Sequence, residues 1–213
     1  AVASALSAAP EEIFFTSGGT EANNIAVFGA AAKNRRNGKR IVTSAIEHSS
    51  VLDSVAELEK QGFEVIRLAP DSHGHISPQQ VADAVNADTV LVTMMMVNNE
   101  VGSILPVEAA VRAARRNAPK AIVHCDCVQA FGKIPVSVKK LEADLITVSA
   151  HKIHAPKGAG ALYKRKGLMI PSLTHGGHQE DSFRPGTEAA PLIAAFGAAA
   201  AIACNQAGGS GGG

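Results

Sequence analysis

Tryptophan is absent from this chain, tyrosine occurs once, and aromatic residues together make up only 4%. A surface that stacks successive bases needs such rings, so a nucleic-acid platform is not expected. Charge does not supply one either. The chain has 20 basic residues against 19 acidic, for a net charge of +1, which favours neither a polyanion nor a membrane surface. Cysteine occurs three times, at Cys125, Cys127 and Cys204. So sparse and odd a set makes no disulfide framework and points to a reducing, cytoplasmic setting. No apolar run approaches the roughly 20 residues that cross a bilayer. The first residues also lack the order of a secretory signal.

What is there alternates. Ile13–Thr16 reads as a short strand, and "SGGTEANNIAVFGAAAKNRRNG" carries apolar residues at helical spacing until Gly38. "RIVTSA" predicts a strand and "SSVLDSVAELEKQG" a helix, with Ser49 or Ser50 as N-cap and Gly62 as C-cap. "FEVIRL" follows, then a turn-rich stretch and a helix opening at Pro78. "TVLVTMM" has the continuous apolar character of a strand buried on both faces. "PVEAAVRAARRN" predicts a helix, and "AIVHCD" and "DLITVSA" predict strands. This rhythm predicts an α/β fold of three layers, a mostly parallel sheet flanked by helices. Residues 1–207 form one large domain in this reading. The Gly/Ser tract at 208–213 is set aside as a tail or an engineered linker. The opening "AVASALSAAPEE" reads as the tail of a helix, so the chain is expected to be part of something larger.

In open α/β sheets ligands gather beyond the carboxyl ends of the strands. Five polar clusters fall there: Ser17–Thr20, Glu47-His48, Asn98–Glu100, Asp126, and Ser149–Lys152. The glycines of "TSGGTE" let backbone approach a ligand, and the N–H groups opening the next helix suit a phosphate. A plain helix start capped by Thr20 reads equally well from that motif alone. Asp126 is placed to hold a protonated heterocycle nitrogen or, more simply, to cap a helix. His124, Cys125, Asp126 and Cys127 cannot all converge on one metal, because adjacent strand residues face opposite ways. His151 and His154 lack an evident third ligand. Lys152, beside two histidines at the end of an apolar strand, is either a solvated lysine or an amine made nucleophilic by its surroundings. A phosphate-type loop, a rim carboxylate and an amine on one side of the sheet together supply what pyridoxal 5'-phosphate needs.

At this point the sequence resembles a known family. "FTSGGTEANN", "VNNEVG", "HCDCVQAFGKIPV", "SAHKIHAPKGAGALY", "HGGHQE" and "RPGTE" occur in the order and approximate spacing of the cysteine desulfurases, from Glu11 to about Ala203. These belong to the class V, fold-type I branch of pyridoxal-phosphate-dependent enzymes. The resemblance implies the large domain of such an enzyme, with Lys152 as the Schiff-base lysine. It implies Asp126 on the pyridinium nitrogen, Gln129 on the phenolic oxygen, and Asn99 close by. His48 would stack on the ring and assist proton transfer. Gly19, Thr20, Ser149 and His151 would bind the phosphate, and Thr187 would reach the phosphate of a partner subunit in a homodimer. The implied reaction converts L-cysteine to L-alanine and passes sulfur to an enzyme thiol as persulfide, for a sulfur-acceptor or scaffold protein of the kind that serves iron-sulfur cluster assembly.

The sequence also departs from that pattern. The sulfur-accepting cysteine and the arginine for the substrate carboxylate lie in the family's carboxy-terminal region, which this chain does not reach, and none of its own cysteines stands in that place. His178, Ala155 and Cys127 replace a usual glycine, glycine and alanine. The reading is therefore of a chain truncated at both ends and inactive in sulfur transfer alone. Alternatives are a selenocysteine lyase, another class V aminotransferase-like enzyme, or an engineered scaffold without catalysis.

Overall fold

The computed structural model describes residues 1–209, with side chains through Cys204. In chain order the elements are α1 (Val2–Leu6), β1 (Ile13–Thr16), α2 (Gly19–Asn34), β2 (Arg40–Ser44), α3 (Ser49–Lys60) and β3 (Glu64–Leu68). There follow α4 (Pro78–Ala84), β4 (Thr89–Met95), α5 (Val107–Asn117), β5 (Ile122–Asp126), α6 (Val138–Leu141), β6 (Leu145–Ser149), β7 (Gly160–Lys164) and α7 (Ala190–Gly209). Of the tract set apart at 208–213, the first two residues belong to α7 and 210–213 lie outside the described residues.

The seven strands form one sheet in the order β1-β7-β6-β5-β4-β2-β3. Only β7 runs against its neighbours, pairing antiparallel with both β1 and β6. The three-layer, mostly parallel α/β architecture is therefore the one expected. Its centre is apolar because crossover helices cover both faces: β4, β5 and β6 are buried at every position. One face packs under α2 and α3 through Ile25, Val51, Leu91, Ile122 and Leu145. The other packs under α5, α1 and α7 through Val92, Val123, Cys125, Ile146 and Phe196.

Local chemistry sets where elements start. Ser77 and Gln80 make a reciprocal capping box ahead of Pro78, as the proline at the first helical position suggests. The predicted cap of α3 is corrected. Its N-cap is His48, whose Nδ1 accepts the Ser50 N–H at 3.1 Å, and neither Ser49 nor Ser50 serves. The C-cap is Gln61, with Gly62 following at φ 93° in the left-handed region where glycine is unstrained. Thr20 does not cap α2 either: the N-cap is Gly18, and no side chain closes that end. Asp144 ties the sheet's far end together. It is buried, accepts from the Val123 N–H at 2.8 Å, and pairs with Arg165 at 2.8 Å and Arg115 at 3.0 Å.

Candidate active site

A cavity of about 200 Å³ opens at the carboxyl ends of the strands, and it draws from all five polar clusters. Gly19 and Thr20 come from the start of α2, His48 from the turn into α3, and Asn99 from the loop after β4. Asp126 and Gln129 come from β5 and its following turn, and Ser149, His151 and Lys152 from β6 and the 3-10 turn after it.

Each position has a local cause. Gly19 lies where an added Cβ would stand 2.9 Å from Val128 Cγ2, so a larger residue would force α2 or this wall to shift. The loop before it is braced on the outside. The Ser17 N–H donates to Glu21 Oε2 at 2.6 Å, and Glu21 is gripped by Arg184 at 2.7 and 3.1 Å. Burial would raise the Glu21 carboxyl, but the Arg184 guanidinium and the Ser17 N–H outweigh it and hold it below its ordinary value. Lys152 sits in the turn Ala150–Ile153, whose Ile153 is buried beside Gly132 and the α7 side of the core. Its amine has no hydrogen-bond or ion-pair partner among the described residues.

Asp126 is the floor. Its Oδ1 accepts the Val128 N–H at 2.9 Å, and its Oδ2 accepts from Asn23 Nδ2 at 2.8 Å. No helix follows for it to cap; it holds the turn after β5 and lines the cavity. Burial raises this carboxyl above its ordinary value, against the pull of Val128, Asn23 and the nearby His48. A cationic group arriving in the cavity would favour its ionised form. Ser149 Oγ lies 2.9 Å from His151 Nδ1, and His151 is lowered by desolvation and by Lys152 and Lys157. The wall thus joins a helix N-terminus without a side-chain cap to a hydroxyl and an imidazole, a donor set that suits an oxyanion.

Beneath the cavity, His124 is fully buried between Thr93 Oγ1 at 2.8 Å and Thr147 Oγ1 at 3.0 Å, and burial pushes its pKa down to about 3. Glu47 was grouped with His48 on the rim, yet it points inward. Its Oε1 accepts from the Ser44 hydroxyl and from the Met95 N–H at 2.9 Å.

Thr187 is the one predicted site residue elsewhere. It is exposed and lines a separate hollow with Phe15, Thr16, Arg184 and Glu188. Reasoning from sequence also missed residues the cavity uses. Asn23 and Ser50 line it and bond to each other at 2.8 Å, with Met95 and Val128 beside them. Asn23 stands one turn beyond Gly19 on α2, and that spacing was the available signal. Cys125 and Cys127 lie on the other side of the sheet from Asp126, with sulfurs 3.4 Å apart, and Cys204 is on α7; none of the three lines the cavity. Among the described residues, no three histidine, cysteine or acidic side chains converge in a way that could hold a metal ion. No described helix is long and apolar enough to cross a membrane.

Against known proteins, residues 1–209 match the family model of the class-V aminotransferases. The cysteine desulfurase IscS of Methanosarcina thermophila is 48% identical over 201 residues, which is 94% of this chain and 49% of that protein. A putative cysteine desulfurase IscS 1 of Bacillus subtilis is 44% identical over 192 residues, 90% of this chain and 50% of that protein. The chain spans about half the length of the curated relatives it matches. Among solved structures, a NifS-like protein superposes with a TM-score of 0.94 at 42% identity, covering 97% of this chain and 57% of that one. SspA in complex with cysteine gives 0.89 at 40% identity, covering 94% and 58%.

Proposed function

The chain belongs to the class-V aminotransferase family, and from that premise we propose that it is the cofactor-binding part of a cysteine desulfurase. It would bind pyridoxal 5'-phosphate and act on L-cysteine, giving L-alanine and a sulfur passed to a protein thiol. One observation carries the reading: a helix end without a side-chain cap, a buried carboxyl and an unpartnered lysine amine share one cavity.

The residues fit that cofactor. The opening of α2 at Gly19 and Thr20, with Ser149 and His151 on the same cavity, would seat the phosphate. Asp126, buried where a cation is the natural counterpart, would hold the ring nitrogen, and Gln129 and Asn99 would hold the cofactor's polar substituents. His48 would lie against the ring, and Lys152 would supply the amine that tethers the cofactor. Bound there, the cofactor supplies a sink for the electron pair left at the substrate's α-carbon. The protein's share is to hold the ring nitrogen's proton on the Asp126 side and to seat the anion at α2. Thr187, outside this cavity, is free to reach the phosphate of a second subunit in a homodimer.

The cavity itself offers no thiol to take the sulfur, since Cys125, Cys127 and Cys204 lie elsewhere. The chain is therefore expected to take up the cofactor yet not to complete sulfur transfer alone. Titration with pyridoxal 5'-phosphate, followed by visible absorbance and borohydride trapping, tests the assignment. Wild type should acquire a stoichiometric adduct at Lys152, and Lys152→Ala should acquire none. Identical spectra and adducts for the two proteins would refute it.

A further inference from the structure

The hydrogen bonds around His48 have a fixed direction. Its Nδ1 takes the Ser50 backbone N–H at 3.1 Å, and a backbone amide can only donate, so Nδ1 is the acceptor. Ser50 Oγ is also 2.8 Å from Nδ1. That hydroxyl has its own donor, since Asn23 Nδ2 reaches it at 2.8 Å, leaving its proton for the ring. The Asn23 amide is in turn oriented by Asp126, whose Oδ2 takes the other Nδ2 proton at 2.8 Å. Turning that amide over would set its oxygen against a carboxylate oxygen and a hydroxyl already committed to His48. Ser50 and Asn23 are both buried, so bulk water does not compete for these bonds. The order of donation therefore runs from Asn23 to Ser50 to His48, anchored at Asp126.

We propose that Ser50, oriented by Asn23, is a positioning residue that holds neutral His48 as the tautomer protonated on Nε2. A ring so held offers a proton donor to the cavity and has no free lone pair to take one. Nδ1 has spent its lone pair on the start of α3, and Nε2 has no protein partner among the described residues. If the proposed function holds, His48 serves by donating to the bound substrate or cofactor, and the α-proton is taken by another group, with Lys152 the amine at hand. That consequence rests on the proposed function. The tautomer does not, and it is read from the protein without cofactor, so the two readings fail separately.

The test is a two-bond proton–nitrogen spectrum of the uniformly ¹⁵N-labelled chain, recorded above the end of the ring's titration. His48 is assigned by the signals lost in His48→Gln. Wild type should show an unprotonated-type resonance at Nδ1 and a protonated-type resonance at Nε2. Ser50→Ala removes one of two donors to Nδ1, which should change the tautomer ratio about two- to tenfold and draw the two nitrogen resonances together. Ser50→Thr, which keeps the hydroxyl, should restore their separation. A wild-type proton on Nδ1 overturns the proposal, and so does an unchanged separation in Ser50→Ala. If Ser50→Ala does not fold, Asn23→Ala decides the role of the oriented hydroxyl by the same convergence or its absence.

Discussion

Glu47 should make this protein less stable as pH rises through neutrality, and Glu47→Gln should remove that loss. The side chain is 5% exposed, and no cation touches it. Its Oε1 has two donors, but Oε2 has no partner. Burial pushes its pKa from an ordinary 4.5 up to about 8, opposed by the Ser44 and Met95 hydrogen bonds and assisted by the Asp126 charge nearby. The unfolded chain ionises this carboxyl at its ordinary value, while the folded protein keeps the proton until about pH 8. The proton therefore contributes stability that is whole below pH 4.5 and fades as pH rises through the folded value. The slope is about 1.4 kcal/mol per pH unit, so roughly 2–3 kcal/mol separates pH 5.5 from pH 7.5. That is a large share of the ~5–15 kcal/mol that a domain possesses. Glutamine keeps an acceptor for Ser44 and Met95 but has nothing to ionise. Urea unfolding of both proteins at the two pH values reads the difference directly. Asp126 and other titrating groups are present in both proteins and largely cancel in the comparison. Parallel pH dependences in wild type and Glu47→Gln would refute the argument, because they would mean that Glu47 is already ionised in the folded state.

Four further outcomes are expected. Gly160→Ala should lower stability by about 2–3 kcal/mol, seen as a reduced Tm, since its Cβ would stand 2.6 and 2.7 Å from Gly18 backbone atoms that cannot move aside. Gly19→Ala should weaken pyridoxal 5'-phosphate affinity about tenfold while costing only ~1 kcal/mol in urea unfolding, because its Cβ meets the Val128 side chain on the cavity wall. Asp144→Ala should cost about 2–3 kcal/mol by stranding the buried Val123 N–H. Arg165→Ala should cost less than ~1 kcal/mol in the same assay, since that guanidinium is 54% exposed and well screened.

The strands were legible because burial on both faces imposes an uninterrupted apolar run, as in Thr89–Met95, where the sequence reading and the structure agree at both ends. Their order was not legible. Nothing in "GALYK" announces that it inserts antiparallel between β1 and β6, since that placement is decided by pairing with residues some 15 and 150 positions away (roughly, by chain spacing). Two helix starts, those of α2 and α3, were misread for a chemical reason. Hydroxyl and carboxamide side chains are the usual caps, whereas α3 is capped by an imidazole and α2 is left without a side-chain cap on the cavity. Both misreadings fall on the candidate site, where local preference gives way to a ligand's needs. The rim rule placed the five clusters correctly in space but says nothing about depth, and so Glu47 was grouped with His48 although its carboxyl is buried.

The three sulfurs divide the chemistry. Cys125 and Asp126 are neighbours on β5, and the pleat sends them to opposite faces: the carboxyl to the cavity, the thiol into the apolar layer beside Cys127. Burial pushes the Cys125 thiol well above its ordinary value, with Cys127 and the Asp126 and Glu47 charges acting the same way. A thiol that stays protonated is no nucleophile. Cys204 is raised by burial as well. Burial thus disfavours the thiolate of Cys125 and Cys204, and none of the three cysteines lines the cavity. In the proposed reaction, the residues that hold the cofactor and manage the proton at the α-carbon are gathered on one wall of this chain. Sulfur acceptance requires a thiol that is ionisable and mobile enough to enter a cavity of about 200 Å³. Supplying such a thiol together with an arginine for the substrate carboxylate should therefore convert cofactor uptake into alanine release without any change to Lys152, Asp126 or His48.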